Sequence, residues 1–152
     1  MLTACSSPAK PVVLGPDDTV KAAQQLLTDR CLTHQGLTPP RPGAAPPPPV
    51  QERRISDALF GTGRAELSLT LPSGQVIRQH SDGCLAAAQR RLYGDQRRWF
   101  LVSTRVNNLR SSPHANADST ADGRLRADHR RLLEEAFARA RTLLTEAARA
   151  RT

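Results

Sequence analysis

The sequence predicts an α+β fold that is mostly helical and carries one β-hairpin. Apolar residues recur at helical spacing in three stretches of the chain, and a further stretch alternates apolar and polar residues around a turn. The predicted order is helix, Pro-rich loop, β-hairpin, long interrupted helix and C-terminal amphipathic helix. As domains, we expect a disordered tether at 1–16, a disulfide-stapled small domain at 17–111, a linker at 112–123 and the amphipathic helix at 124–152.

Composition limits the size of the core. The 152 residues are enough for one modest domain. Only 3% of them are aromatic, so aliphatic residues and alanine must supply nearly all of the buried surface, and packing alone gives marginal stability. No apolar run approaches the roughly 18 residues that are needed to span a bilayer.

The net charge of +8 comes almost entirely from arginine. Lys10 and Lys21 are the only lysines among the 22 basic residues. The excess lies in the middle of the chain, at +6 for residues 53–111 against 0 for 1–52 and +2 for 112–152. A charge of this sign favours anionic partners such as a membrane surface, a wall polymer or nucleic acid.

The start of the chain resembles a bacterial lipobox. Residues 2–5, Leu-Thr-Ala-Cys, place small residues before a Cys that a signal peptidase would leave as a lipid-bearing N-terminus, and a Ser/Pro/Ala-rich tether follows at 6–11. Cys5 is therefore the predicted lipidation site, and the membrane is a predicted partner. The charged and apolar parts of a signal peptide do not precede it here. Three explanations of this start stay open: a start codon further upstream, a chain trimmed near its mature end, or a coincidental match in a cytosolic protein.

Residues 16–19, Pro-Asp-Asp-Thr, predict the start of the first helix, with the Asp side chains accepting free N–H groups. Gly36 suits the left-handed turn that ends it. The apolar face of this helix has Val20, Ala23, Leu26, Leu27 and Cys31. Residues 37–50 are Pro-rich, and because proline lacks an N–H and fixes its backbone angle they predict an extended linker rather than a helix. A ligand for aromatic-lined grooves is the weaker interpretation of this run.

Residues 65–79 predict the hairpin, because leucines alternate with polar residues on one side of a Pro-Ser-Gly turn and Val76-Ile77 resumes the apolar character on the other. Asp82 and Gly83 open the long helix as its predicted cap, and Gly94 interrupts it. Asp95 then caps the continuation, where Trp99 and Phe100 are predicted core residues. The apolar positions of the two halves are Leu85, Ala88, Leu92, Trp99, Val102, Val106 and Leu109.

The C-terminal helix is strongly amphipathic. Its continuous apolar stripe consists of Leu125, Leu132, Leu133, Ala136, Phe137, Ala140, Leu143, Leu144 and Ala147. We expect this stripe to pack onto the domain; self-association through residues 125–147, or docking on a partner, is the functional alternative. A membrane-surface helix is less apt, since acidic residues also line it.

We predict two roles for the three cysteines: Cys5 carries lipid, and Cys31 is bonded to Cys84. In an exported protein that bridge would compensate for the thin core. Its alternative is a pair of buried free thiols in a cytosolic protein. Together with His34 and His80 the two cysteines form a Cys2His2 set on paper, but the second pair crosses a Ser-Asp-Gly break, so no metal is predicted.

These elements resemble those of a group of uncharacterised exported actinobacterial lipoproteins, over about residues 25–110. The motifs are Cys31-Leu32-Thr33-His34-Gln35-Gly36, Asp82-Gly83-Cys84-Leu85-Ala86-Ala87-Ala88, Leu92-Tyr93-Gly94-Asp95, Trp99-Phe100 and Val106-Asn107-Asn108-Leu109. The resemblance implies a paired-cysteine helical domain and carries no established activity. The chain departs from the group in lacking an intact signal sequence and the further Trp and Cys elements of longer members.

The sequence contains few motifs that are typical of catalysis, and we expect neither an enzyme nor a cofactor. Gly61-Thr62-Gly63 is too short for a dinucleotide fingerprint, and Ser73-Gly74 lacks a nucleophile elbow. His114 and His129 are expected in a loop and on a polar helix face. Asp82 and Asp95 are better explained as helix caps than as a paired acid and base.

The remaining candidates for binding are arginines. Candidate anion-binding residues are Arg90, Arg91, Arg97, Arg98 and Arg105. The sequence therefore predicts a non-catalytic binding or accessory protein of the cell envelope, on the outer face of the membrane or secreted, whose partner is an envelope protein or an anionic polymer. The alternative is an Arg-rich cytosolic protein associated with nucleic acid, which lacks support from any helix-turn-helix pattern or set of stacking aromatics.

Overall fold

A computed structural model of the chain describes residues 13–63, 66–109 and 120–152. These residues form helices α1 (Pro16–His34), α2 (Pro49–Phe60), α3 (Cys84–Tyr93), α4 (Gln96–Leu109) and α5 (Thr120–Ala150), with strands β1 (Glu66–Thr70) and β2 (Val76–His80). The mostly helical α+β prediction is confirmed. Cys5 and His114, with most of the predicted tether and linker, lie outside the described residues.

Helix α1 starts and ends where the sequence predicts, but the chemistry at its start differs. No side chain caps its first turn; instead the Thr19 hydroxyl donates a hydrogen bond to the carbonyl of Gly15 at 2.8 Å. Asp17 and Asp18 lie in the first turn, where their charge favours the positive end of the helix dipole. Gly36 follows the helix with a φ of +76°, the left-handed conformation that glycine adopts without strain.

Helix α2 was missed by the sequence analysis, which predicted no element between the Pro-rich run and the hairpin. The helix takes Pro49 from that run as its first residue, a position where the missing N–H costs nothing because no carbonyl precedes it in the helix. Ile55 is its buried residue, and Ala58 and Leu59 are packed beside it, at the spacing of one helical face.

The hairpin is confirmed. Its two strands pair antiparallel with Leu69 opposite Ile77, and the Leu71 N–H donates to the Gln75 carbonyl at 2.8 Å across the turn. The inward residues of both strands are half-buried, whereas Leu71 at the end of the first strand is buried. Gln79 reaches from the inward face to the side chain of Gln89 in α3, at 2.8 Å.

The predicted interruption of the long helix is real, because Gly94 ends α3 with a φ of +81°. Asp95 caps α4 as predicted, accepting the backbone N–H of Arg98 at 3.1 Å. Phe100 is buried in the core, while Trp99 is half-buried and stacks on Tyr93 with ring centroids 3.7 Å apart.

Helix α5 packs along α1, α3 and α4 through its apolar stripe, which confirms the expectation that the stripe covers the domain. It starts at Thr120, four residues before the predicted boundary. Its buried residues are Leu132, Ala136, Ala140, Leu143 and Ala147. A second, smaller cluster surrounds Cys84, with Leu32, Leu37 and Ile55. None of the described helices is long and apolar enough to cross a membrane.

Candidate functional site

A disulfide joins the end of α1 to the start of α3. Cys31 and Cys84, 53 residues apart in sequence, are bonded with their Cα atoms 5.7 Å apart, so the predicted bridge is present. Each sulfur has the other as its covalent partner, which removes both from the Cys2His2 set considered above. His80 uses its Nδ1 for a 2.7 Å hydrogen bond with the Gly63 carbonyl. Among the described residues no group of three candidate ligands lies close enough to hold a metal.

The two sulfurs of the bridge have unequal surroundings. Cys84 is the first residue of α3 and is 1% exposed, whereas Cys31 is only half-buried. The side-chain amide of Gln35, one residue beyond α1, donates to both sulfurs, at 3.4 Å to Cys84 and 3.6 Å to Cys31. Sequence reasoning missed Gln35, because its role depends on the turn at Gly36 and on the approach of α3.

Asp82 has a different role from the one the sequence predicts. Gly83, not Asp82, occupies the N-cap position of α3, and no side chain caps that helix. The Asp82 carboxylate instead accepts the backbone N–H of Gly63 at 2.7 Å, and that of Thr62 at 3.3 Å. These hydrogen bonds, that from Gly63 above all, hold the pKa of the Asp82 carboxyl below its ordinary value.

Glycines make this contact possible. A Cβ atom on Gly61 or Gly63 would collide with the Asp82 side chain, and one on Gly83 would lie 2.5 Å from the Leu59 carbonyl oxygen and 2.6 Å from the Gly61 nitrogen. Gly61-Thr62-Gly63, too short for a nucleotide fingerprint, is therefore a loop that wraps an aspartate. The loop and the disulfide together fasten the end of α2, the end of α1 and the start of α3; we call this region the disulfide junction.

A polar cleft of about 380 Å³ opens beside the disulfide junction. It brings one guanidinium, Arg54, to the same surface as the carboxylates of Asp57 and Asp82. The complete lining is Gln35, Leu37, Arg54, Asp57, Ala58, Gly61, Thr62 and Asp82. Arg54 and Asp57 were not predicted as site residues, since they belong to the helix that the sequence analysis missed.

Two of the five predicted anion-binding arginines have partners within the fold. Arg90 donates to the Ser81 carbonyl at 2.7 Å and to the side chain of Gln96 at 3.3 Å. Arg98 reaches Asp128 of α5 at 3.3 Å, and Asp128 also pairs with Arg131 at 2.8 Å. Arg90 thus joins α3 to the turn before it and to the start of α4, and Arg98 joins α4 to α5. Both side chains are held in place by these contacts.

The other three, Arg91, Arg97 and Arg105, are exposed and make no hydrogen bond or ion pair within residues 13–63, 66–109 and 120–152. Arg91 lies with Arg139 along an open groove of about 470 Å³ between α3 and α5. The structure thus distributes the five residues over several surfaces.

Charge is nevertheless segregated along the described chain. Residues 84–109 and 120–152, which we call the arginine-rich part, carry thirteen arginines against six acidic residues and a net charge of +7. Residues 13–63 and 66–83 carry six basic and seven acidic residues and a net charge of −1. The positive field therefore arises from α3, α4 and α5.

Comparison with known proteins finds no matching family model, no matching curated protein and no matching solved structure. The function must therefore be argued from the disulfide junction and from the arginine-rich part.

Proposed function

We propose that this chain is an exported, non-catalytic accessory protein of the cell envelope that binds an anionic polymer. The observation that carries the proposal is the Cys31–Cys84 disulfide. Structural disulfides persist in oxidising compartments and are rare in the reducing cytosol. Small exported domains rely on such bridges because their hydrophobic cores are small, and the second core cluster of this chain is built around Cys84.

The anchor in this proposal is Cys5. The sequence Leu-Thr-Ala-Cys supports lipidation at that residue, and the resemblance of residues 25–110 to exported actinobacterial lipoproteins supports the same compartment. In this arrangement a short tether separates the membrane surface from Pro16, where α1 begins. The folded part would then lie close to the anionic polymers and lipid headgroups of the envelope.

The ligand in this proposal follows from the charge. The arginine-rich part has a net charge of +7, and Arg91, Arg97 and Arg105 expose guanidinium groups that no partner within the described fold neutralises. A guanidinium binds phosphate or carboxylate through paired N–H donors, so a polyanion with repeated phosphate groups is a suitable ligand. Such binding requires no closed pocket, because it depends on summed charge over an exposed surface.

Localisation is tested by intact mass of the protein from its native cells, measured with and without reductant. We expect a diacylglyceryl mass on Cys5, recovery in the membrane fraction and a gain of two hydrogens on reduction. An unmodified chain in the cytosol with free thiols would overturn the proposal.

Binding is tested with poly(glycerol phosphate) as the probe, at several salt concentrations. The triple variant R91Q/R97Q/R105Q should bind at least tenfold more weakly. The slope of log affinity against log salt concentration should be shallower by about 2, because fewer phosphate contacts mean that fewer counterions are released on binding. The matched control is R41Q/R53Q/R54Q, which removes the same charge from exposed positions outside the arginine-rich part. Equal losses in both triples would mean that net charge alone drives retention, and the assignment of binding to the arginine-rich part would be wrong.

The exposed arginines also favour the alternative, a cytosolic protein associated with nucleic acid. The disulfide disfavours it, and the two proposals differ in a measurable way. Duplex DNA retained more tightly than poly(glycerol phosphate) at the same salt concentration, together with a reduced chain in cells, would favour the alternative.

A further inference from the structure

The proposed function does not use the difference in exposure between the two sulfurs of the disulfide junction. We propose that the Cys31–Cys84 bridge reacts with external thiols in one direction only, with Cys31 as the sulfur that is attacked and Cys84 as the leaving thiolate. The ligand class is a thiolate, whether of a small thiol or of a protein dithiol.

Accessibility to an external thiol identifies Cys31 as the sulfur that is attacked. Thiol–disulfide exchange requires the nucleophile to reach the sulfur that it attacks. Cys84 is 1% exposed within the second core cluster, whereas Cys31 is half-buried near the exposed end of α1. Its neighbours Thr33, His34 and Gln35 are all exposed, so a thiol can approach from that end of the helix. Attack at Cys84 would require the junction to open.

Stabilisation of the leaving group selects Cys84. This cysteine is the first residue of α3, a ten-residue helix, where the positive end of the dipole favours a thiolate. The Gln35 amide donates to the same sulfur at 3.4 Å. Cys31 lies three residues from the C-terminal end of α1, where the dipole has the opposite sign and disfavours negative charge. The dipole and the Gln35 amide thus oppose the desolvation that burial imposes on a Cys84 thiolate, and they favour the same direction of attack as access does.

The chemistry balances with two equivalents of thiol. A thiolate RS⁻ attacks the Cys31 Sγ, the bond between the two cysteine sulfurs breaks, and its electron pair stays on the Cys84 Sγ. A second thiolate attacks the outer sulfur of the mixed disulfide and releases the Cys31 thiolate. The products are RSSR and two cysteine thiolates that take up the two protons of the thiols. Run in reverse, the same steps install the bridge, with Cys84 attacking a mixed disulfide on Cys31.

The experiment uses the full chain with the Cys5→Ser substitution, which removes the third thiol. The folded, oxidised protein is treated with reduced glutathione for short times, each sample is then quenched with an excess of N-ethylmaleimide that blocks every free thiol, and the products are mapped by peptide mass. We expect glutathione on Cys31 and maleimide on Cys84, in at least tenfold excess over the opposite arrangement. Glutathione mainly on Cys84 overturns the proposal. So does a reduction rate that is independent of thiol concentration, because the bridge would then react only after unfolding.

A second measurement tests Gln35. The variant Gln35→Ala should be reduced by glutathione roughly threefold more slowly, since a poorer leaving thiolate leaves more slowly. Gln25→Ala is the control, because Gln25 lies on an exposed part of α1 and bonds to Asp29 instead. An unchanged rate in Gln35→Ala would overturn this role. Neither measurement depends on where the protein resides, so the inference can fail while the proposed function stands.

Discussion

The carboxylate of Asp82 accepts the backbone N–H of Gly63 at 2.7 Å, which fixes the loop after α2 against the turn before α3. Two residues further along the chain, Cys84 is covalently bonded to the end of α1. Three helix termini thus meet within a few residues, and the contacts that hold them are polar or covalent. This arrangement is consistent with a chain whose aromatic content is only 3%.

Replacing Asp82 by Asn should lower the urea midpoint at neutral pH, because a neutral amide is a weaker acceptor for the two backbone N–H groups. The folded-state pKa of Asp82 is lowered from 3.8, so its contribution is present above that pH and is lost as the pH falls through the folded-state pKa. The difference between D82N and the parent should therefore shrink in strong acid. Urea unfolding followed by Trp99 fluorescence measures the midpoints of D82N and the parent at neutral pH and below pH 3.8.

Asp57→Asn is the control for this variant. Asp57 lines the same cleft, yet its carboxylate accepts no hydrogen bond within the described part of the chain. Equal midpoints for D82N and the parent at neutral pH would show that the Asp82 contact contributes nothing to stability.

Gly83→Ala should destabilise the protein by about 2 to 4 kcal/mol, because the new methyl group would meet backbone atoms that cannot move independently. Gly123→Ala is the matched control. Gly123 lies within α5 with no atom near its Cβ position, so the same change there should stabilise by up to about 1 kcal/mol. Thermal unfolding of the two variants should shift in opposite directions, and a tolerated Gly83→Ala would contradict the tight packing of the junction.

Removing the bridge with C31S/C84S should cost about 4 kcal/mol, the chain-entropy value for closing a loop of 53 residues. Cys5→Ser should leave the unfolding midpoint unchanged, since the Cys31–Cys84 bond stays intact in that variant. Chemical unfolding of both variants under non-reducing conditions gives the comparison. A loss below about 1 kcal/mol would mean that the unfolded chain is already compact between these cysteines.

Tyr93 provides a spectroscopic prediction at the other end of the pH scale. Burial, with a smaller effect from the charge of Asp17, raises the pKa of its phenol to about 12. A raised folded-state pKa means that stability is full below pH 10 and is lost as the pH rises from 10 towards 12. Tyr93 is the chain's single tyrosine, so the tyrosinate absorbance reports this residue alone.

The control is Tyr93→Phe, which lacks the titrating group but keeps the ring that stacks on Trp99. Its stability should fall less than that of the parent between pH 10 and 12. A phenol that titrates near 10 in the folded protein would contradict the burial of Tyr93.

The fold was predictable where periodicity and turn chemistry agree. Gly94 and Asp95 together mark a break and a restart, and both act as expected. The sequence did not predict helix α2, because this helix begins inside a proline run and Ile55 is its only buried residue, so its apolar pattern is short. The Pro-rich run at 37–50 predicts a linker that includes Pro49, although proline is also favoured in the first turn of a helix.

The junction was predictable only in its covalent part. Two cysteines in a thin-cored chain with an export-like start indicate a bridge. Nothing in the sequence next to Asp82 indicates that its partners are Thr62 and Gly63, about 20 residues earlier. An aspartate before a helix is ordinarily a cap, and here the long-range contact replaces that local one. The clustering of glycines at Gly61, Gly63 and Gly83 is the signal that could have indicated a close approach of backbones.

The packing of α5 leads to a prediction about small residues. Ala136 is fully buried where α5 joins the main core, whereas Ala138, half a turn away, is exposed. Ala136→Leu should therefore destabilise by about 1 to 3 kcal/mol through overpacking, and Ala138→Leu should change stability by less than about 0.5 kcal/mol. Chemical unfolding at several protein concentrations measures both effects. Because the stripe packs within one chain, the midpoints should not depend on concentration; a midpoint that rises with concentration would show instead that folding is coupled to pairing of two copies.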